Sequence, residues 1–241
     1  MPVGVPKVPY IMPVPDPESD SESDTESDPG PDPDTEYESE DKDKAKAKDK
    51  GKGKGKGKDK AREQWIELYD RLSRIRSLFL FEELSDEIAN NIMGLMAFLN
   101  IDDNTQEQFL FINSPGGGMI NGLGVYDMSQ AVLPDVHTIC VGDAISMAAL
   151  ILAGGAPGKR TAFPHSTIML HQPRTSPYEG PPSEVFLDGK DMDLVRSTVE
   201  DLYVQRTGQS LSVIREHMIR DHFLTAPDAL KFGLVDLVGE D

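Results

Sequence analysis

The chain has 241 residues, with 42 Asp/Glu against 24 Lys/Arg and a formal net charge of −18 at pH 7. So acidic a chain lacks the basic surface that phosphate-backbone binding requires, which excludes nucleic acid as its main partner. Cys140 is the only cysteine, so no disulfide can form within the chain and a reducing compartment is expected.

The N-terminus, MPVGVPKVPYIMPVPDPES, has no charged stretch followed by an apolar one. It is also acidic, unlike organelle transit peptides, so synthesis in the compartment of action is expected. Residues 1–11 form a short N-terminal segment, and residues 12–60 are low in complexity. Residues 16–41 carry acids and no basic residue, including SDSESDTESD; DKDKAKAKDKGKGKGKGKDK then supplies ten lysines. Neither block can bury enough apolar surface to offset its ordering entropy, so both are expected to be disordered. The plain reading is a solvated linker. The functional alternatives are a self-associating acidic/basic pair and a docking tail whose serines, set among acids, could be phosphorylated.

The folding unit is therefore expected over residues 61–241, long enough for one sizeable core. AREQWIELYDRLSRIR places Trp65, Leu68, Leu72 and Ile75 at helical spacing, which predicts a helix there. LFLFEE reads as a short buried strand, and Ser85 as the N-cap of a helix over DEIANNIMGLMAFLN. EQFLFINS predicts a strand ending at Pro115-Gly-Gly-Gly118, followed by a helix from about Met119 to Val132. VHTICVG is a second buried strand, and SMAALILAGG a buried helix closed by Gly154-Gly155. The longest apolar run, residues 144–153, is about half the length of a membrane span, so no membrane association is expected. STIMLHQP predicts a further strand, stopped by Pro173. PPSEVFLDGKDMDLVRSTVEDLYVQRTG predicts a long amphipathic helix weakened early by Gly189, and two short helices and the strand GLVDLV close the chain. Strands and helices alternating across Gly-rich turns indicate an α/β fold of βαβ units around a mostly parallel sheet.

In such sheets reactive groups gather where strands end and helices begin. Two junctions qualify, Asn113-Ser-Pro-Gly-Gly-Gly118 and Gly142-Asp-Ala-Ile-Ser146. A serine beside Gly-rich backbone N–H groups suits acyl transfer, which needs a nucleophile and an oxyanion hole. No phosphate-binding glycine motif follows either strand, and no metal-ligand cluster stands out. The base must come from His137, His165, His171, His217 or His222. His137 lies inside a strand, and His217 and His222 lie on or near a charged helix. His171 at one end of STIMLHQP and His165 at the other are the stronger candidates. Asp221 and Asp143 compete for the orienting carboxylate, and spacing alone does not choose among them.

From Trp65 onward the stretches FLFINSPGG, YDMSQAVLPDVHTICVGDAISMAALILAGGAPGKR, MLHQP, QRTGQSLSVI and RDHFLTAPDALKFGLVDLV resemble the proteolytic subunit of the Clp protease, the ClpP family. The opening MPVGVPKVP resembles its plastid-encoded form, which implies the chloroplast stroma. The resemblance implies a ClpP/crotonase-like fold with a protruding strand–helix handle. It also implies a serine endopeptidase with Ser146 as nucleophile, His171 as base, Asp221 as orienting acid, and the N–H groups of Gly117 and Met147 as the oxyanion hole. It implies two stacked heptameric rings enclosing a chamber, joined by a handle helix from about Ser183 to Arg206, with Arg220 at the ring–ring contact. Unfolded proteins would be threaded in by an AAA+ Clp chaperone (ClpC-like), which uses the ATP; no cofactor is implied for this subunit. Residues 12–60 would then stand where the family's short axial loop guards the ring entrance. Asp143 and Ala148, flanking Ser146, depart from the family's usual residues. Two other readings are a catalytically weak structural subunit of a mixed ClpP/ClpR ring, and an acyl-CoA enzyme of the related crotonase fold.

Overall fold

The computed structural model describes residues 7–11, 63–174 and 179–240. The expectation of disorder over 12–60 lies outside them. The chain divides into two compact units, Met1–Leu68 and Tyr69–Asp241.

In the first unit, β1 (Lys7–Ile11) and β2 (Glu63–Glu67) pair antiparallel, with Pro9 opposite Trp65. The helix expected across this stretch is therefore confined to α1 (Leu68–Arg74). The helical spacing of Trp65 yields to a ladder with a segment more than fifty positions away, a partner that local periodicity cannot reveal.

The second unit is built on one seven-stranded sheet. Its strands are β3 (Ser77–Leu80), β4 (Gln108–Ser114), β5 (Val136–Ile145), β6 (Arg160–Ala162), β7 (Thr167–Leu170), β8 (His222–Thr225) and β9 (Leu237–Val238). The order is β3-β4-β5-β6-β9, all parallel, while β7 pairs with β5 and β8 runs antiparallel to β7. The ten-residue β5 changes neighbour along its length. Thr138–Cys140 face β6, and Asp143–Ile145 face β7.

Helices α2 (Asp86–Asp102), α3 (Met119–Ala131), α4 (Met147–Ala153), α5 (Pro182–Thr207), α6 (Leu211–Met218) and α7 (Ala226–Phe232) complete the unit. Ser85 caps α2 as expected, its hydroxyl accepting the Ile88 N–H. All seven residues of α4 are buried between β5, α3 and α5, which fits the purely apolar make-up of that stretch. Alternating burial along β4 puts Leu110 and Ile112 into the same core. Each such fully buried side chain contributes roughly 1.5–3 kcal/mol.

Helix α5 is unlike the others. Its 26 residues, about 39 Å at 1.5 Å per residue, bury only Val199, Glu200 and Tyr203, all near one end. Gly189 does not interrupt it. Val185, Phe186, Leu187 and Leu194 stand exposed on its other half. Among the described residues no strand precedes α5 after β7; residues 175–178 lie outside them. No described helix is long and apolar enough to cross a membrane.

Candidate active site

Strand register assembles the site. Ile145 is the partner of Met169 in the parallel β5–β7 pair, so Ser146 and the segment after Leu170 leave adjacent strands at the same edge. The Ser146 N–H donates to the Met169 carbonyl at 3.0 Å, fixing that alignment. Leu170 is opposite His222 in the antiparallel β7–β8 pair, so His171 and Asp221, one step beyond, also face each other. Three sequence-distant residues thus converge at the C-terminal ends of the parallel strands.

Ser146 sits at the turn from β5 into α4 with φ 59° and ψ −123°. A non-glycine residue there is strained by roughly 1–3 kcal/mol, and such strain concentrates at functional turns. The turn after β4 closes against it. Gly116 has φ +86°, and a Cβ on it would meet the Ile145 carbonyl oxygen at 2.6 Å and Ser146 Cβ at 2.8 Å. A Cβ on Gly117 would meet the Leu84 carbonyl oxygen at 2.5 Å. The Leu84 N–H donates to the Gly116 carbonyl at 2.8 Å and the Gly118 N–H to the Leu84 carbonyl at 3.1 Å, pinning the glycine turn from behind.

His171 Nε2 lies 2.7 Å from Ser146 Oγ. With the ring proton on Nδ1, the hydroxyl donates to Nε2, the geometry a base needs to take that proton. Behind it, Nδ1 is 3.5 Å from Asp221 Oδ1, an ion-pair separation too long for a good hydrogen bond. Nδ1 is buried and forms no hydrogen bond among the described residues. The same Oδ1 accepts a bond from Arg174 Nη2. Burial pushes the His171 imidazole below its ordinary value of 6.5, and the Arg174 charge pushes it further; Asp221 opposes both. A cavity of about 170 Å³ opens over this group, lined by Ser146, Met147, Gly117, His171, Arg174 and Tyr203 among others.

The rival candidates lie elsewhere. His165 is at the far end of β7, in a separate hollow with Phe163 and Glu240. His137, within β5, is bonded to Glu107 at 2.7 Å, and the rings of His217 and His222 meet edge to face at 4.4 Å. Asp143 is inside β5 opposite Thr167, with an exposed side chain, and its N–H donates to Asn113 Oδ1 at 3.0 Å. Ala148 directs its methyl into the core and is fully buried. Neither lines the cavity. Arg220 is exposed in the turn before β8. Sequence reasoning missed β8 as a strand, and it missed Arg174; the alternation of HFLT was the available signal for the first. Among the described residues no cluster of His, Cys, Asp and Glu could hold a metal ion.

A hydroxyl on a strained turn, an imidazole in hydrogen-bond reach and a carboxylate behind it, facing Gly-rich backbone, define a site equipped for acyl transfer. A family model described as Clp protease matches residues 60–241. The chain is 51% identical over 177 residues to the ATP-dependent Clp protease proteolytic subunit of Acorus calamus, covering 73% of this chain and 88% of that one. It is 51% identical over 174 residues to the like-named protein of Cucumis sativus (72% and 89% covered) and 52% identical over 174 residues to that of Morus indica (72% and 89%). The chain belongs to the Clp protease family, as a proteolytic subunit.

Proposed function

We propose that the chain is a serine endopeptidase of an ATP-dependent Clp protease, cleaving unfolded proteins to short peptides. The observation that carries this reading is the 2.7 Å contact of Ser146 Oγ with His171 Nε2, with Asp221 behind it. Ser146 attacks the scissile carbonyl while His171 takes its proton. The N–H groups of Gly117 and Met147, two residues that line the cavity, receive the developing oxyanion. His171 then returns the proton to the leaving amine, and a water activated by the same imidazole hydrolyses the acyl-enzyme.

The half of α5 that stands clear of the core, with its exposed apolar side chains, supports a role as a handle between two stacked heptameric rings. Arg220 is proposed for the ring–ring contact. Substrates would be delivered by an AAA+ Clp chaperone of the ClpC kind, which uses the ATP, so this subunit itself needs no cofactor. The plant relatives and the opening MPVGVPKVP support the chloroplast stroma. The presence of all three residues Ser146, His171 and Asp221 favours an active subunit over a catalytically weak one.

The test is labelling of the assembled complex with a fluorophosphonate probe, the adduct located by intact mass and peptide mapping. Modification of Ser146 is expected, and loss of it in Ser146→Ala. An assembled ring whose Ser146 stays unmodified would sink the reading.

A further inference from the structure

Resting on the serine-peptidase reading, we propose that Arg174 is a positioning residue, competing with His171 for Asp221 and so setting when the carboxylate orients the imidazole. One oxygen, Asp221 Oδ1, serves both: it accepts from Arg174 Nη2 and stands 3.5 Å from His171 Nδ1. The outcome of that competition is visible, because Nδ1 is buried and without a hydrogen bond among the described residues. Such an orphaned polar atom is costly, and a return of Oδ1 to it relieves the cost.

Charge decides which partner holds the oxygen. A guanidinium–carboxylate bond pairs two charges, whereas a neutral imidazole N–H brings no charge of its own to the same anion, so Arg174 wins while His171 is neutral. Once His171 takes the Ser146 proton it becomes a cation, and the buried imidazolium then outbids the solvated guanidinium. Exposure allows the exchange: the Arg174 side chain is 61% exposed and the His171 side chain 15%. Arg174 follows His171 by three positions on the segment leaving β7, so it can let go without disturbing the strand. The charged groups facing His171 are Arg174 on that segment and Asp221 before β8. Tyr203 of α5 also lines the cavity, and burial holds its hydroxyl neutral.

Two effects of Arg174 thus act in one direction. Its positive charge disfavours the imidazolium, and its bond withholds the anion that would favour it. Removing the guanidinium raises the His171 pKa and brings Asp221 onto Nδ1. The gain in rate is about two- to fivefold, the factor that a largely exposed ion pair can withhold.

The experiment uses the assembled full-length chain as wild type, Arg174→Gln, Arg174→Ala and Arg174→Lys. The His171 titration is followed by NMR of ¹³C-labelled histidine, the resonance assigned by its loss in His171→Gln. The rate of fluorophosphonate labelling at Ser146 is measured across pH in parallel. The proposal expects the His171 titration, and the acidic limb of labelling, to move to higher pH in the Gln and Ala variants, with faster labelling at neutral pH. The Lys variant, which restores the charge, should return toward wild type. A His171 titration unchanged or lowered in both neutral variants overturns it. If that titration rises as stated while Ser146 is never labelled, even in wild type, the competition for Asp221 stands and the peptidase reading falls instead.

Discussion

Ser146 and Met169 are joined by a 3.0 Å backbone hydrogen bond between the end of β5 and β7, and this bond holds the serine in its φ 59° conformation. The turn is strained, and the ladder bears the strain. Ser146→Gly should remove the hydroxyl and the strain together, whereas Ser146→Ala removes only the hydroxyl. Both variants are expected to lose probe labelling. The glycine variant should be the more stable by about 1 kcal/mol, seen as a melting temperature about 2–4 °C above that of the alanine variant. Equal melting temperatures would mean the turn is relaxed as it stands.

Gly116 gives a second test, because no substituent fits there. Its φ of +86° disfavours an L side chain, and the atoms a Cβ would meet are backbone and Ser146 itself. Gly116→Ala should push the glycine turn off Ser146 and lower the labelling rate by about a hundredfold or more, the usual cost of an ångström-scale misplacement. Circular dichroism should show a folded chain, since the hydrophobic core lies beneath the turn.

The main elements were legible where the signal was local. The Ser85 cap, the buried α4 and the strands around Phe109 and Cys140 all follow from periodicity and turn residues. Trp65 was misleading because its strand is decided by pairing with Pro9. The candidate site was half legible. The glycine turn and Ser146 announce a strand-to-helix junction, but five histidines could have supplied the base. His171 and Asp221 are singled out by the register of β7 against β5 and β8, which single-sequence spacing does not contain. The Arg174 bond was invisible for the same reason.

Acid should weaken the fold in two stages. Burial lowers His171, and burial with the neighbouring His217 charge lowers His222, each below the ordinary 6.5. Below that value the unfolded chain binds more protons than the folded one, so stability falls as pH drops from about 6.5 through the folded values. The Arg-paired carboxylates Glu200 and Asp236 are also held below their ordinary values of 4.5 and 3.8. The stability they contribute is full above those values and is lost as pH falls through their folded ones. Denaturant midpoints measured from pH 8 to 3 should show a shallow decline beginning near 6.5 and a steeper one below 4.5. His222→Gln should make the first decline shallower, leaving the His171 share, and should not touch the second. An unchanged first decline in that variant would assign it elsewhere.

Arg160 and Asp236 form a largely buried ion pair away from the site. Asp236 Oδ2 accepts from Arg160 Nε at 2.9 Å and Oδ1 from Nη2 at 2.5 Å, a two-pronged pair between β6 and the segment before β9. Held in this way, Nη1 reaches three carbonyls, those of Ala153 at 3.4 Å, Arg206 at 3.1 Å and Gly233 at 3.0 Å. These lie at the C-terminal ends of α4, α5 and α7, where unpaired carbonyls and the negative ends of the helix dipoles favour a cation. Asp236→Ala would leave the guanidinium without its counter-charge, and Arg160→Met would leave the carboxylate with only the Gly158 and position-160 backbone N–H groups and the helix ends without their cation. Each should cost about 3 kcal/mol, read as a shift in urea midpoint with little change in slope. The double variant should cost less than the sum of the two, because each single change already breaks the same pair. Strict additivity would show that Arg160 and Asp236 act independently and that the helix ends are held by other groups.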